Sequence, residues 1–285
     1  MPAPPHPPVA PTVSVCVPVY NASRYVDQTL ASVFAQTYDD WELVILDDAS
    51  RDDSWDVVQR HAGDPRVRLA RHERNQGAAA TWNEVVGMAR GRYVKVLCSD
   101  DLLSPDSLAI HVALLDAHPS AVLAAARRNI IDEHGAALIK DRGLGGLRGL
   151  VPGAEARRAI VRAGTNPLGE PSVVLFRRAQ LLAVGGFDPQ WRFTIDLDAY
   201  ARVLEHGDLL AADATLGSFR VSPTQWSAAL ERDQRRENHE FVSQLAVASG
   251  LSRRGWSARR GRATASALSV GRSLVYRRLR RRARL

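Results

Sequence analysis

The stretch VKVLCSDDLLSPD, residues 94–106, places two adjacent carboxylates, Asp100 and Asp101, just after a mostly apolar run from Val94 to Cys98. Asp47 and Asp48 close a second apolar run, WELVILDD (41–48), and Tyr20 and Asn21 lie at the end of a third, VSVCVPVY (13–20). Paired acids emerging from a buried strand suit a hard divalent cation such as Mg²⁺ or Mn²⁺, held by one or two carboxylates while phosphate oxygens of a substrate complete its shell. A nucleotide diphosphate is the co-ligand this donor set predicts. Asp and Ser are also ordinary turn residues, so CSDDLLSPD taken alone is equally well explained as a solvated turn. There is no Gly-x-Gly-x-x-Gly turn and no Gly-Lys-Ser/Thr phosphate loop, so neither a dinucleotide site nor a P-loop is predicted.

The elements that would position these groups alternate. VSVCVPVY predicts a strand, and SRYVDQTLASVFAQT follows with Val26, Leu30, Val33 and Phe34 at helical spacing. WELVILDD and RVRLAR (66–71) predict further strands, RDDSWDVVQRHA and GAAATWNEVVGMARG (77–91) helices, and RYVKVLC (92–98) a fourth strand. Strand–helix alternation is the signature of an α/β fold with a mainly parallel sheet covered on both faces, and such sheets collect ligands at the C-terminal ends of their strands. Beyond about residue 120 the alternation weakens. AVLAAARRNIID predicts a strand, GLGGLRGLVPG (143–153) a mobile glycine-rich connection, and PSVVLFRRAQLLAVGGFDPQW a short strand, a short helix and a double-glycine turn. DLDAYARVLEHG (196–207) predicts a helix with acids in its first turn, and residues 224–251 are predicted mainly helical.

With 285 residues, 45% of them hydrophobic, the chain can bury a substantial core. Arginine makes up 36 of its 38 basic residues, a bias that suggests a GC-rich genome. The net charge of +7 is unevenly placed: twelve arginines and no acid follow Ser252, which leaves −5 for residues 1–251. A basic tail on a mildly acidic body predicts an anionic surface, phospholipid or nucleic acid, as partner for the tail. Cys16 and Cys98 lie in apolar runs, which predicts free thiols and a reducing, cytoplasmic compartment. The leader MPAPPHPPVAPT has neither the basic start nor the apolar stretch of a secretory signal, and no segment approaches the ~20 apolar residues of a membrane span.

Five stretches together resemble the inverting glycosyltransferases of family 2, which have the GT-A fold: residues 13–54, NQGAAATWNEVVGMARGRYV, SDDLLSPDSL, GGFD and DLDAYARVLEHG, in the family's order. The resemblance implies a disordered leader (1–11), a GT-A domain (12–227) with a nucleotide-binding half (12–118) and an acceptor half (119–227), and a helical extension with a basic tail (228–285). It implies a nucleotide diphospho-sugar donor, carried by UDP or dTDP, lying across the strand ends. Pro18 and Tyr20 would line the base pocket, Asp48 would accept a hydrogen bond from the base, and Asn21, Asn75 and Ser99 would complete the donor site. Asp100 matches the last acid of the family's Asp-x-Asp motif and would bind Mn²⁺ or Mg²⁺, with Asp101 beside it. Asp196 matches the second acid of the Glu-Asp motif and would be the catalytic base. Glu170, Trp191 and Phe193 are candidate contacts for a carbohydrate, lipid-linked or small-molecule acceptor.

Three positions depart from the family pattern. Cys98 replaces the first acid of Asp-x-Asp, Ile195 replaces the glutamate before the catalytic acid, and Ser222 stands where many relatives carry a histidine. These departures keep alternatives open: metal-independent transfer, or a non-catalytic relative that binds a nucleotide or glycan. The tail GRSLVYRRLRRRARL (271–285) combines leucines with dense arginine, which predicts a basic amphipathic helix on the inner face of the plasma membrane. Nucleic acid is the less favoured partner because the body supplies no recognition motif.

Overall fold

A computed structural model describes residues 10–222 and 234–268. Strands β1 (Val13–Val19), β2 (Trp41–Asp47), β3 (Val67–Arg71) and β4 (Tyr93–Val96) pair in parallel in the order β3-β2-β1-β4. Their connections are α1 (Val26–Phe34), α2 (Ser54–Gln59) and α3 (Ala78–Met88). All residues of β1, β2 and β4 are buried, as continuous apolar runs covered on both faces should be. Alternation along β1 divides the core. Val13, Val15, Val17 and Val19 pack with residues of α1, α2 and α4 (Ser107–Ala117), whereas Cys16 faces α3 and the helices of the second half.

The second half extends the same sheet. The remaining strands are β5 (Leu102–Leu103), β6 (Ala121–Ile131), β7 (Ala137–Arg142), β8 (Gly149–Val151), β9 (Val174–Arg177) and β10 (Asp208–Arg220). The path continues β4-β9-β6-β10-β5, with β7 on β6 and β8 on β10. Strand β9 runs antiparallel to both β4 and β6, while β6 and β10 are parallel to each other. The reversal of β9 puts its N-terminal approach, a 3₁₀ turn over Pro171–Val173 preceded by Glu170, on the edge where β1, β2, β4, β6 and β10 end. Lys95, fully buried on β4, ties that turn down by donating to the carbonyls of Ser172 and Val174, each at 3.0 Å. Burial lowers its pKa to about 7.

The glycine-rich connection is more ordered than its composition predicts. It forms a 3₁₀ turn over Leu144–Gly146 and then β8, which pairs with β10. Helices α5 (Gly153–Ala163), α6 (Arg178–Ala183), α7 (Ile195–Val203) and α8 (Gln234–Ala248) follow, and residues 256–268 are helical. The double-glycine turn is present, with Gly185 and Gly186 at φ +82 and +69. Helix α8 packs on α5, and Arg157 of α5 donates to the Ala248 carbonyl at its end. Both cysteines are free thiols. Residues 1–9 of the expected leader and the tail over 271–285 fall outside the described residues. No helix among the described residues is long and apolar enough to cross a membrane.

Candidate functional site

The strand ends open onto a cavity of ≈ 1290 Å³. Of the predicted site residues, Pro18, Tyr20, Asn21, Asp48, Asn75, Ser99, Asp100, Glu170, Trp191, Phe193 and Asp196 all line it. Asp101 does not. It is fully buried behind Asp100, where its Oδ1 accepts the backbone N–H of Arg220 at 3.0 Å.

At the β1 and β2 ends the cavity wall is preorganised. Asn21 sits at φ +49, and its Oδ1 accepts the Arg51 N–H at 2.8 Å while its own N–H donates to Ser50 Oγ. The Asp48 carboxylate accepts the backbone N–H groups of Gln76 (2.7 Å) and Gly77 (2.9 Å) at the entry to α3, and contacts His72 Nδ1 at 2.7 Å. Gly77 at φ +87 allows the chain to fold back onto that carboxylate. His72 Nε2 reaches Glu84 at 2.9 Å. Burial opposes charge on this imidazole, but the two carboxylates prevail and raise its pKa. Of roughly four lone-pair positions on the Asp48 carboxylate, three are used and one on Oδ2 remains. Asn75 donates weakly to the Asp48 carbonyl, at 3.4 Å. Tyr20 stands 46% exposed at the rim.

At the β4 end the turn through Ser99, Asp100 and Asp101 is pinned from below by Arg220, the last residue of β10. Its guanidinium is fully buried and donates to the Asp100 carbonyl and to Gln28 Oε1, both at 2.9 Å, and to the carbonyls of Asp132 and Glu133. It also lies over the Tyr25 ring at 4.7 Å. Burial raises the Asp100 pKa to about 6, with Arg220 opposing. Burial and the neighbouring Asp100 charge push Asp101 further up. The same acids, with Asp196 and Glu170, add to burial in raising the Cys98 thiol, so it is held as a neutral thiol.

Asp196 enters from α7, on the other wall. It lies in the helix's first turn, where Oδ1 accepts the Leu197 N–H at 2.8 Å and Oδ2 accepts Asn166 Nδ2 at 2.7 Å. Burial raises its pKa to about 7; the Glu170 charge adds to this, while the Leu197 and Asn166 donors oppose it. A carboxylate poised near neutrality beside a cavity is suited to taking a proton from a bound hydroxyl. Glu170 itself is held in a two-pronged ion pair with the nearly buried Arg128. Trp191 is only 5% exposed and packs edge-on against Phe241 of α8, so it anchors the loop before Asp196 more than it offers a stacking face. Trp82 is likewise a core residue, packed edge-on against Phe187.

The donor set has a definite chemistry. Among the described residues no three His, Cys, Asp or Glu side chains converge as a metal cage. Asp100 presents one carboxylate to the cavity, which fits a cation whose remaining ligands are phosphate oxygens and water.

Several residues that build the site escaped the sequence reading: Arg220, His72, Arg128 and Asn166. His72 was within reach, because it follows the strand parallel to the one that delivers Asp48. Arg220 also had a signal, as the one basic residue of a long strand, at its last position. The others act through contacts between segments distant in sequence.

Comparison with known proteins gives the family and the fold. The model of "Glycosyl transferase family 2" matches residues 14–179. The putative teichuronic acid biosynthesis glycosyltransferase TuaG of Bacillus subtilis (strain 168) is 41% identical over 99 residues, 34% of this chain and 39% of TuaG, so the shared part spans well under two thirds of that relative. The crystal structure of S. aureus TarS 1-349 in complex with UDP-GlcNAc has a TM-score of 0.66 at 18% identity, covering 85% of this chain and 68% of that one. The mannosyltransferase PcManGT from Pyrobaculum calidifontis, in complex with GDP-Man and Mn²⁺, has a TM-score of 0.62 at 20% identity, covering 97% and 85%. These structural likenesses show the GT-A fold.

Proposed function

Since the chain belongs to glycosyl transferase family 2, we propose that it transfers a sugar from a nucleotide diphospho-sugar to an acceptor hydroxyl, with inversion at the anomeric carbon. The observation that carries this reading is one cavity shared by Asp100 at a strand end and Asp196, with its pKa near 7, on the facing helix. The neighbours crystallised with UDP-GlcNAc and with GDP-Man and Mn²⁺ support a nucleotide-sugar donor.

The nucleotide lies against Pro18 and Tyr20, and the free acceptor position on Asp48 Oδ2 takes an N–H of the base. Asn21, Asn75 and Ser99 line the path of the ribose and diphosphate towards Asp100. A Mn²⁺ or Mg²⁺ held by Asp100 and the diphosphate would supply charge neutralisation on the leaving group. Asp101 and Arg220 hold the Asp100 turn in place. On the other wall, ionised Asp196 accepts the proton of the acceptor hydroxyl as that oxygen bonds to the anomeric carbon and the bond to the diphosphate oxygen breaks. Glu170, Trp191 and Phe193 line the acceptor side. The TuaG likeness favours cell-surface polysaccharide as the process served, at a site cytoplasmic or peripheral to the membrane. The proposed GT-A domain spans 12–227 and the proposed extension 228–285, whose described part carries α8 and the helix over 256–268.

Cys98 and Ile195, standing where the family carries acids, favour a second reading in which the protein binds a nucleotide or glycan without transfer. Calorimetric titration with UDP, dTDP and GDP, each with Mn²⁺ and with EDTA, separates the two. The expected result is metal-dependent binding of one diphosphate, lost in Asp100→Ala, followed by transfer from the corresponding nucleotide sugars. Metal-independent binding would assign Asp100 another role. Binding without transfer from any donor would establish the second reading.

A further inference from the structure

Helix α7 starts without the usual side-chain cap. Thr194 occupies its N-cap position, yet the hydroxyl accepts nothing from the first turn. The segment that leads into α7 is held instead from α8, 43 residues along the chain. Glu237 Oε1 accepts the backbone N–H of Phe193 at 2.6 Å, the N–H of Thr194 at 2.7 Å and the Thr194 hydroxyl at 3.1 Å. The same helix supports this loop with Phe241, against which Trp191 packs at 5.5 Å, and adds Asn238 to the cavity wall. Segment 191–194 leads directly into Asp196 and is bound along its length by α8. The family model ends at residue 179, well before α8.

We propose that Glu237 is a positioning residue: it reaches from the helical extension to hold the 193–194 backbone, and thereby sets the depth and aim of Asp196 in the cavity. This rests on the reading of Asp196 as the base. The extension is then part of the catalytic apparatus. A carboxylate suits the task because one oxygen can accept three donors converging from a helix N-terminus, where the macrodipole also favours negative charge. Ile195 stands where the resemblance expects a glutamate, and Glu237 supplies a carboxylate to the same short segment from outside it.

The test separates reach from charge. Glu237→Gln keeps a carbonyl oxygen at the same distance and removes the charge; Glu237→Asp keeps the charge but is one methylene too short. The full chain is labelled with ¹³C at aspartate carboxyls, and the Asp196 signal is identified by its loss in Asp196→Asn. The titratable groups facing Asp196 are Glu170, Cys98 and Tyr200, with Arg128 behind Glu170, and all are retained in both variants. The expected result is an Asp196 midpoint near the wild-type value in Glu237→Gln, and one displaced downward by about one unit or more in Glu237→Asp, as the loosened loop admits water. Amide exchange at Phe193 and Thr194 should accelerate at least ~10-fold in Glu237→Asp alone. Equal midpoints and equal exchange in both variants and the wild type would overturn the proposal. So would a larger displacement in Glu237→Gln, which would make charge the agent. Turnover that survived Asp196→Asn would remove the base assignment and leave the Glu237 result standing.

Discussion

Asp196 combines a cost in stability with a chemical use. An ionised carboxylate in a half-buried wall is disfavoured, and its pKa of about 7 records that burial outweighs the two donors it accepts. As a base it must be ionised, so kcat/KM for transfer is expected to rise about tenfold per pH unit below about 7 and to level off above it. Asp196→Asn should lower transfer ~10²- to 10⁴-fold and abolish that limb of the profile. The stability consequence has the opposite sign. Between the ordinary carboxylate range and about 7 the native state keeps the Asp196 proton while the unfolded chain has lost it, so this group makes stability fall as pH rises through that window. Asp196→Asn, which cannot ionise, should therefore melt ~2 °C or more above the wild type at pH 8 and gain little at pH 4, by calorimetry at matched salt. A variant that lost activity and stability together at pH 8 would point to a structural lesion. Asp100 and Asp196 were both legible in the sequence because each sits in a short motif at the end of an element. Glu237 was not, since a glutamate in a polar helix carries no mark of the backbone it will meet.

At the scale of elements, apolar runs and helical periodicity located β1 to β4 and α1 to α3, to within a few residues at the ends, but not the two-residue β5 or α4. What they left open was direction. Strand β9 is four residues long, and its sequence does not say that it inserts antiparallel between β4 and β6, although that insertion carries Glu170 to the site. Helix packing in the second half depends on glycine in a way composition alone did not reveal. A Cβ on Gly164 would come within 1.7 Å of the Gly261 carbonyl oxygen, and one on Gly261 within 2.0 Å of the Val161 oxygen. The end of α5 and the helix over 256–268 therefore cross backbone to backbone. Gly164 also has φ +65, so substitution there confounds strain with sterics. Gly261→Ala is the cleaner probe. It should cost ~1–3 kcal/mol by overpacking in urea denaturation, and should expose the 249–255 connection to limited proteolysis. A stability equal to wild type would show that the two helices can separate at no cost, and would weaken the view of the extension as docked.

For the molecule as a whole, charge is the property that the fold does not explain. Residues 1–251 carry −5 and the remainder +12, yet the described cavity draws on the strand ends and on helices α3, α7 and α8, and takes Leu268 but no arginine from the described part of that positive end. The arginines already begin within the described residues: Arg253, Arg254, Arg259 and Arg260 are exposed around Trp256, which is 70% exposed; Arg253 faces Glu240 at 3.5 Å and Arg260 lies over the Trp256 ring at 5.4 Å. A further seven arginines follow residue 268. Aromatic and guanidinium groups exposed together match the headgroup region of an anionic bilayer, where each basic residue contributes ~1 kcal/mol. The full chain is therefore expected to sediment with vesicles containing phosphatidylglycerol and not with phosphatidylcholine alone, with binding that falls steeply between 50 and 300 mM KCl, values chosen to span ~14 to ~6 Å of Debye length. Deletion of 269–285 should remove most of that binding and leave the diphosphate titration unchanged, because the groups assigned to the donor lie at the strand ends. Equal binding to neutral vesicles would remove electrostatics as the cause. Tighter binding to duplex DNA than to anionic vesicles at the same salt would turn the tail into a nucleic-acid contact, an outcome disfavoured because the sequence of the body carries no recognition motif.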